Sequence, residues 1–197
     1  MFMFRVMMPR LPTERSMRDI ALDRNFAFRM GEIALIGLDT GEDKPDFHPA
    51  NGGFTRFTPY RVAQTEWLKD QFSRPEIVTA PYIVAFVHIP IVELYPGANP
   101  GTILEDYATW QKECADMWGP ILTANKAQLV LAGHTHRYRY DAAKDGRSWA
   151  EIIGGGRGAK TFQTLIEGKV EGGELVVRVH NTDAGKIVGV HRFKPRG

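Results

Sequence analysis

At 197 residues, with 43% hydrophobic and 24% charged residues, the chain has the size and composition of one globular domain or of a large part of one. A formal net charge of +2, with no dense Lys/Arg run and no basic stripe interleaved with aromatics, lacks the electrostatic footprint of a nucleic-acid binder. No apolar run approaches membrane-spanning length, and the lone Cys114 excludes an intrachain disulfide.

Residues 1–25 show weak periodicity and several charges, and read as an irregular approach segment. Their apolar start is interrupted by Arg5 and Pro9 and is followed by no small-residue cleavage site, which makes a poor signal peptide. Phe26 to Asp39 predicts two strands joined tightly at Gly31-Glu32. Asp39, at the end of the second, is expected to cap a turn rather than to serve as a site carboxylate. Thr40 to Thr58 is rich in Gly, Pro, Asp and Asn and reads as a long loop. His48 and Arg56, in or beside it, are candidate contacts for an anionic substrate group.

A helix should follow, with Thr58 as its cap, Pro59 at its first position and Val62, Trp67, Leu68 and Phe72 on its apolar side; Pro75 closes it. Pro81 to Pro90 carries a continuous apolar run that ends in His88, the pattern of a strand buried on both faces. Residues 91–103 form a Pro/Gly-rich connection, in which Glu93 is more readily a solvated loop residue than a site carboxylate. A second helix is expected from Leu104 to Trp118, with Tyr107, Trp110, Cys114 and Met117 at helical spacing. Gly119-Pro120 is expected to end it, and a short helix over 120–126 to follow. Cys114 falls in that stripe and reads as a buried, inert thiol.

The stretch with the clearest chemistry is Gln128 to His136. An apolar strand runs into Gly133, then His134 and His136 one residue apart. Open α/β sheets place ligand sites at the carboxyl ends of such strands, and imidazole is the commonest metal ligand. If the strands ending at His88 and at Ala132 are parallel neighbours, His88 lies beside His134 and His136, and three imidazoles become candidate metal ligands. Beyond His136 the pattern turns to strands, near 149–153, 162–166, 175–180 and 187–193; His180 and His191 within them read as structural.

Gly133-His134-Thr135-His136 resembles the terminal G-H-x-H motif of the calcineurin-like metallophosphoesterases, the group that includes the purple acid phosphatases. Phe86-Val87-His88-Ile89-Pro90 resembles the strand-ending histidine motif before it. The strand 31–40 and the helix around 64–68 fit the same order, so the resemblance runs from about Phe26 to about Phe193. It implies an α/β fold, a sandwich of mixed β-sheets flanked by helices. Residues 1–25 would be an irregular N-terminal segment, 26–136 an α/β part with the histidine motifs, and 137–197 a β-rich part. It implies hydrolysis of phosphate mono- or diesters at a site of two metal ions (Zn, Mn or Fe), with His88 and His134 on one ion and His136 on the other.

The three motifs that begin that family, D-x-H (or a variant), G-D-x-x-D/Y and G-N-H-D/E, are expected to be missing from this chain. The resemblance therefore implies the C-terminal half of the domain, with the bridging Asp, an Asn ligand and the general-acid His in missing motifs. Three expectations follow: a chain inactive by itself, an exposed edge along the strand at 81–88, and a homodimer or a separate N-terminal half to cover it. A non-catalytic, metal-binding module of the same fold is the alternative. A remote rival is the glycine-rich stretch 154–161. It misses the phosphate-cradling pattern G-x-x-x-x-G-K-[ST] by one residue, Ala159, with Lys160 and Thr161 in place, and a β-like run rather than a long helix follows it.

Overall fold

The computed structural model describes residues 25–41, 46, 57–92, 107–144, 146–156 and 161–197. A six-stranded mixed sheet forms its centre, in the order β1-β2-β3-β4-β6-β5: β1 (Phe26–Met30), β2 (Ile33–Gly37), β3 (Tyr82–Phe86), β4 (Leu129–Ala132), β5 (Arg139–Asp141) and β6 (Ala150–Ile153). β2, β3, β4 and β6 are parallel, while β1 and β5 close the two edges antiparallel. The segments Ile-Ala-Leu-Ile, Tyr-Ile-Val-Ala-Phe and Leu-Val-Leu-Ala are almost wholly buried. A parallel strand covered on both faces has no solvent side and so reads as a continuous apolar run.

The helices α1 (Phe57–Gln71), α2 (Pro75–Val78) and α3 (Tyr107–Ala124) all lie in the crossovers between β2, β3 and β4. Crossovers of one hand, between strands laid down in one direction, put their helices on one face of a sheet. On that face Leu68 of α1, Phe72 just beyond its end, Ile77 of α2 and Cys114, Trp118 and Leu122 of α3 pack with Ala34, Ile36, Ile83, Ala85, Val130 and Ile153. On the opposite face lies a three-stranded antiparallel meander, β7 (Thr164–Glu171), β8 (Glu174–Asn181) and β9 (Lys186–Phe193). Gly172 and Gly173, both at positive φ, make its first hairpin turn. Alternate residues Leu175, Val177 and Val179 of β8 meet Ile33, Leu35, Tyr82, Val84, Leu129 and Ile152 of the large sheet in a second core. The architecture is thus an α/β sandwich of two sheets with helices on the outer face of the larger. No helix of the described residues is long and apolar enough to cross a membrane.

Several local expectations change. Thr58 does not cap α1; its amide and that of Phe57 instead donate to the two carboxylate oxygens of Asp46, at 3.1 and 2.6 Å. A carboxylate there also suits the positive end of the helix dipole. The buried side of α1 is mostly polar (Arg61, Gln64 and Gln71 with Leu68), while Val62 is 46% exposed. Gln64 exchanges two hydrogen bonds with the backbone of Asp39, and Arg61 donates to the carbonyl of Thr40 and to Glu113, so these two buried polar side chains are satisfied. Gly119-Pro120 does not end α3, which continues through Pro120 to Ala124. Proline costs a helix interior about 3 kcal/mol. Trp118 and Leu122, fully buried on either side of it, recover that much by leaving water.

The strand leading to His88 also has no bare edge: β3 pairs with β2 on one side and β4 on the other. The premise for an exposed edge at 81–88 therefore fails, because the hairpin of β1 and β2 fills the place where missing strands were expected. Ile83, at the middle of β3 and fully buried, should be costly to truncate. Ile83→Ala is expected to lose about 2–5 kcal/mol in urea unfolding, and Val190→Ala, at a residue 51% exposed, less than about 0.5 kcal/mol. Equal losses would contradict this placement of the core.

Candidate metal centre at the carboxyl ends of the parallel strands

The four parallel strands end at one level, and their ladder continues into the loops. Leu38 N–H donates to the carbonyl of Phe86 and Val87 N–H to that of Leu131, each at 2.9 Å; Gly133 N–H donates to His88 at 2.9 Å and Gly154 N–H to Ala132 at 2.8 Å. The bond from Gly133 fixes the chain at His88 against the turn before His134. The result is a contact between the two imidazoles: His134 Nδ1 lies 3.3 Å from His88 Nε2, with the rings edge to face at 5.2 Å between centroids. Two nitrogens bound to one ion at ~2.0–2.1 Å in tetrahedral array stand roughly 3.3–3.4 Å apart, so the pair fits two ligands of a single ion. Both rings reach solvent, His88 being exposed and His134 half-buried.

The turn itself carries strain. His134 and His136 both adopt left-handed backbone, with φ of 64° and 57°. That conformation costs a non-glycine residue roughly 1–2 kcal/mol and concentrates at functional sites. Thr135 N–H closes the turn on the carbonyl of Gly133 at 2.7 Å. His136 does not join the pair. Its ring lies against Gly156, where a Cβ would come within 2.9 Å of His136 Cγ, and Gly156 N–H donates to the carbonyl of His136 at 3.1 Å. Among the described residues no group of three or more His, Cys, Asp or Glu side chains forms a metal cluster.

The glycine-rich stretch thus has a structural role, as the seat of His136. Three of its amides are committed within the protein: Gly154 to Ala132, Gly155 to Thr164 Oγ1 at 2.8 Å, and Gly156 to His136. Thr161 Oγ1 donates to the carbonyl of Gly156 at 2.7 Å, and a strand, not a helix, follows. Both findings count against a phosphate cradle at 154–161, although Lys160 itself lies outside the described residues.

Asp39 sits at the same end of the sheet and caps a turn, as its sequence context predicts. Its Oδ1 accepts from Gly41 N–H at 2.8 Å and its Oδ2 from Tyr60 Oη at 3.1 Å. A D-x-H string does occur, Asp46-Phe47-His48, but after β2 rather than before it, and Asp46 is taken up by the α1 cap. His48, Arg56 and Glu93 lie outside the described residues. The late histidines have structural partners: His180 contacts Glu167 at 3.1 Å, and His191 contacts the Tyr138 hydroxyl at 3.0 Å and stacks on Tyr140. Burial lowers the pKa of His191. The Cys114 thiol is pushed up to about 12, chiefly by burial, and is inert at neutral pH.

One residue of the site region was not among the candidates expected from the sequence. Glu151, between Ala150 and Ile152 of β6, is 0% exposed. Its Oε1 accepts from Ile91 N–H at 2.8 Å and its Oε2 from Val92 N–H at 3.1 Å. Ile91 and Val92 belong to the segment leaving His88. A charged residue inside an otherwise apolar strand was the available signal.

No family model matches the chain, and no curated protein does. Among solved structures, a conserved uncharacterized protein of Streptococcus pneumoniae, described as a predicted phosphoesterase, is similar at 11% identity; the match covers 82% of this chain and 97% of that chain, with a TM-score of 0.32.

Burial raises the pKa of Glu151 from 4.5 to about 7, against the lowering effect of its two amide donors; Asp141 raises it further and Arg139 lowers it. Between pH 4.5 and about 7 the folded protein therefore holds a proton that the unfolded chain has released, and above that interval the group is the carboxylate whose two oxygens accept from both amides. Stability from this group is present below pH 4.5 and is lost as pH rises to about 7, by roughly 3 kcal/mol. Urea unfolding of Glu151→Gln and the parent at several pH values should show the difference moving in favour of the variant over that interval. A difference independent of pH would contradict it.

Proposed function

We propose that this chain carries part of a metal-dependent phosphoesterase site, in which His88 and His134 hold one divalent ion and His136 contributes to a second. The substrates would be phosphate mono- or diesters. The observation that supports the reading is the 3.3 Å approach of His88 Nε2 to His134 Nδ1 at the carboxyl ends of adjacent parallel strands. The left-handed turn is a second support, since it sends two imidazoles out of one short loop at a cost in backbone energy. Zn, Mn and Fe all accept imidazole ligands. Two such ions would lower the pKa of bound water and neutralise phosphoryl oxygens. The chain's own residues hold and orient: Gly133 ties His88 to the turn, and Gly156 seats His136. His48 and Arg56 are proposed to contact the anionic end of the substrate.

A second reading is a metal-binding module of the same fold without catalysis. It is favoured by one observation: among the described residues no carboxylate joins the histidines to bridge two ions. On either reading, the 197-residue chain by itself should hydrolyse a generic aryl phosphate near the background rate, even with excess Zn or Mn.

Metal content after gel filtration tests the site. The parent chain should retain about one equivalent of Zn or Mn, and His88→Ala or His134→Ala should lose most of it. His180→Ala, in the three-stranded sheet, should not. Equal retention by His134→Ala and His180→Ala would overturn the assignment. Robust turnover abolished by His136→Ala would overturn the expectation of inactivity.

A further inference from the structure

The chain that leaves β3 makes neither strand nor helix over residues 87–92, yet Ile89 and Ile91 are fully buried. Buried backbone amides require acceptors, and the bond of Val87 N–H to the carbonyl of Leu131 in β4 leaves Ile91 and Val92 to find theirs elsewhere. Glu151 supplies them, with one oxygen for each of two successive N–H groups. The residue type matters. Glutamine offers one acceptor oxygen where a carboxylate offers two, and a serine or alanine at this position would leave both amides without a partner. An isolated carboxylate is costly to bury, so its presence in a strand otherwise made of Ala and Ile calls for such a role.

Its place in the sheet shows what the clamp controls. Glu151 stands opposite Val130 on β4, two residues before that strand ends and four before His134. The same β6 runs on to Gly154–Gly156, the seat of His136. His88 is therefore fixed twice: its own carbonyl accepts from Gly133 N–H, and three residues later its segment is held by Glu151. We propose that Glu151 is the positioning residue of the His88–His134 pair, its two carboxylate oxygens holding the segment after His88 where both imidazoles can serve one ion. Glu151 acts through the backbone of Ile91 and Val92. The metal part of this inference rests on the proposed function; the positioning part rests on the pair alone.

The test compares Glu151→Leu, Glu151→Gln and Val130→Ala. Val130 is fully buried on the same face, directly across the ladder, and serves as the purely structural control. Two quantities are read: Co(II) affinity from its visible absorption, and the ring nitrogen-15 signals of His88 and His134 in metal-free protein. Glu151→Leu should weaken Co(II) binding by about 10–100-fold, the usual effect of removing an outer partner of a metal ligand. Glu151→Gln, with one acceptor kept, should lose less. Val130→Ala should lose stability and bind Co(II) as the parent does. The ring signals should move in both Glu151 variants and stay in place in Val130→Ala. Unchanged affinity and unchanged signals in Glu151→Leu would overturn the proposal, as would equal effects in Val130→Ala. If the parent binds no Co(II), the metal reading of the pair falls by itself. The ring signals then decide the positioning role alone: movement in the Glu151 variants supports it, and identity with the parent overturns it. Should Glu151→Leu fail to fold, Glu151→Gln carries the same comparison.

Discussion

The site depends on the parallel register between β3 and β4. Val84, Ala85 and Phe86 pair with Leu129, Val130 and Leu131, so both strands finish at one level. Because side chains alternate along a strand, a slip of one residue would turn every buried side chain of β4 to the other face. The two cores forbid it. Ala85 and Val130 belong to the helix side, while Val84 and Leu129 belong to the side covered by the small sheet. Hydrophobic burial thus sets the height at which His88 and His134 emerge, and the amide of Gly133 transmits that height to the turn.

Polar groups complete what burial begins. Gln128 locks the start of β3: its Oε1 accepts from Ile83 N–H at 2.8 Å, while its Nε2 donates to Pro81 and Lys194. Arg61, wholly buried, ties the exit of β2 to α1 and, through Glu113, to α3. Glu151 does the same for the exit of β3. Each is a long polar side chain placed where backbone enters or leaves a strand, and each satisfies groups that no ladder reaches. Removing one partner from such an arrangement leaves a desolvated group behind, which costs more than the hydrogen bond itself contributed. The strand exits are therefore specified tightly, and the candidate site sits on one of them.

Much of this was legible in the residues. Continuous apolar runs between turn signals marked β2, β3 and β4, and two of them ending near histidine predicted that His88 would meet both His134 and His136, of which only His134 lies against it. The hairpin at Gly31-Glu32 and the inert Cys114 were equally readable. Long-range partners were not. The polar inner side of α1 looks solvated until Thr40, Asp39 and Glu113 are seen to receive it, and Pro120 looks like a stop until Trp118 and Leu122 are seen to be buried together. The edge expected at β3 came from motifs not found upstream, whereas β2 supplies the pairing. The direction of His136 follows from a left-handed φ and from the space at Gly156, and neither has a signature in residue spacing.

The central claim is that strand geometry brings two imidazoles to one ion. X-ray absorption at the zinc edge of the zinc-loaded protein tests it most directly. The account predicts nitrogen neighbours at ~2.0–2.1 Å with the outer-shell scattering of at least two imidazole rings, reduced in both His88→Ala and His134→Ala. A spectrum without imidazole scattering, or one unchanged by those two substitutions, would contradict it.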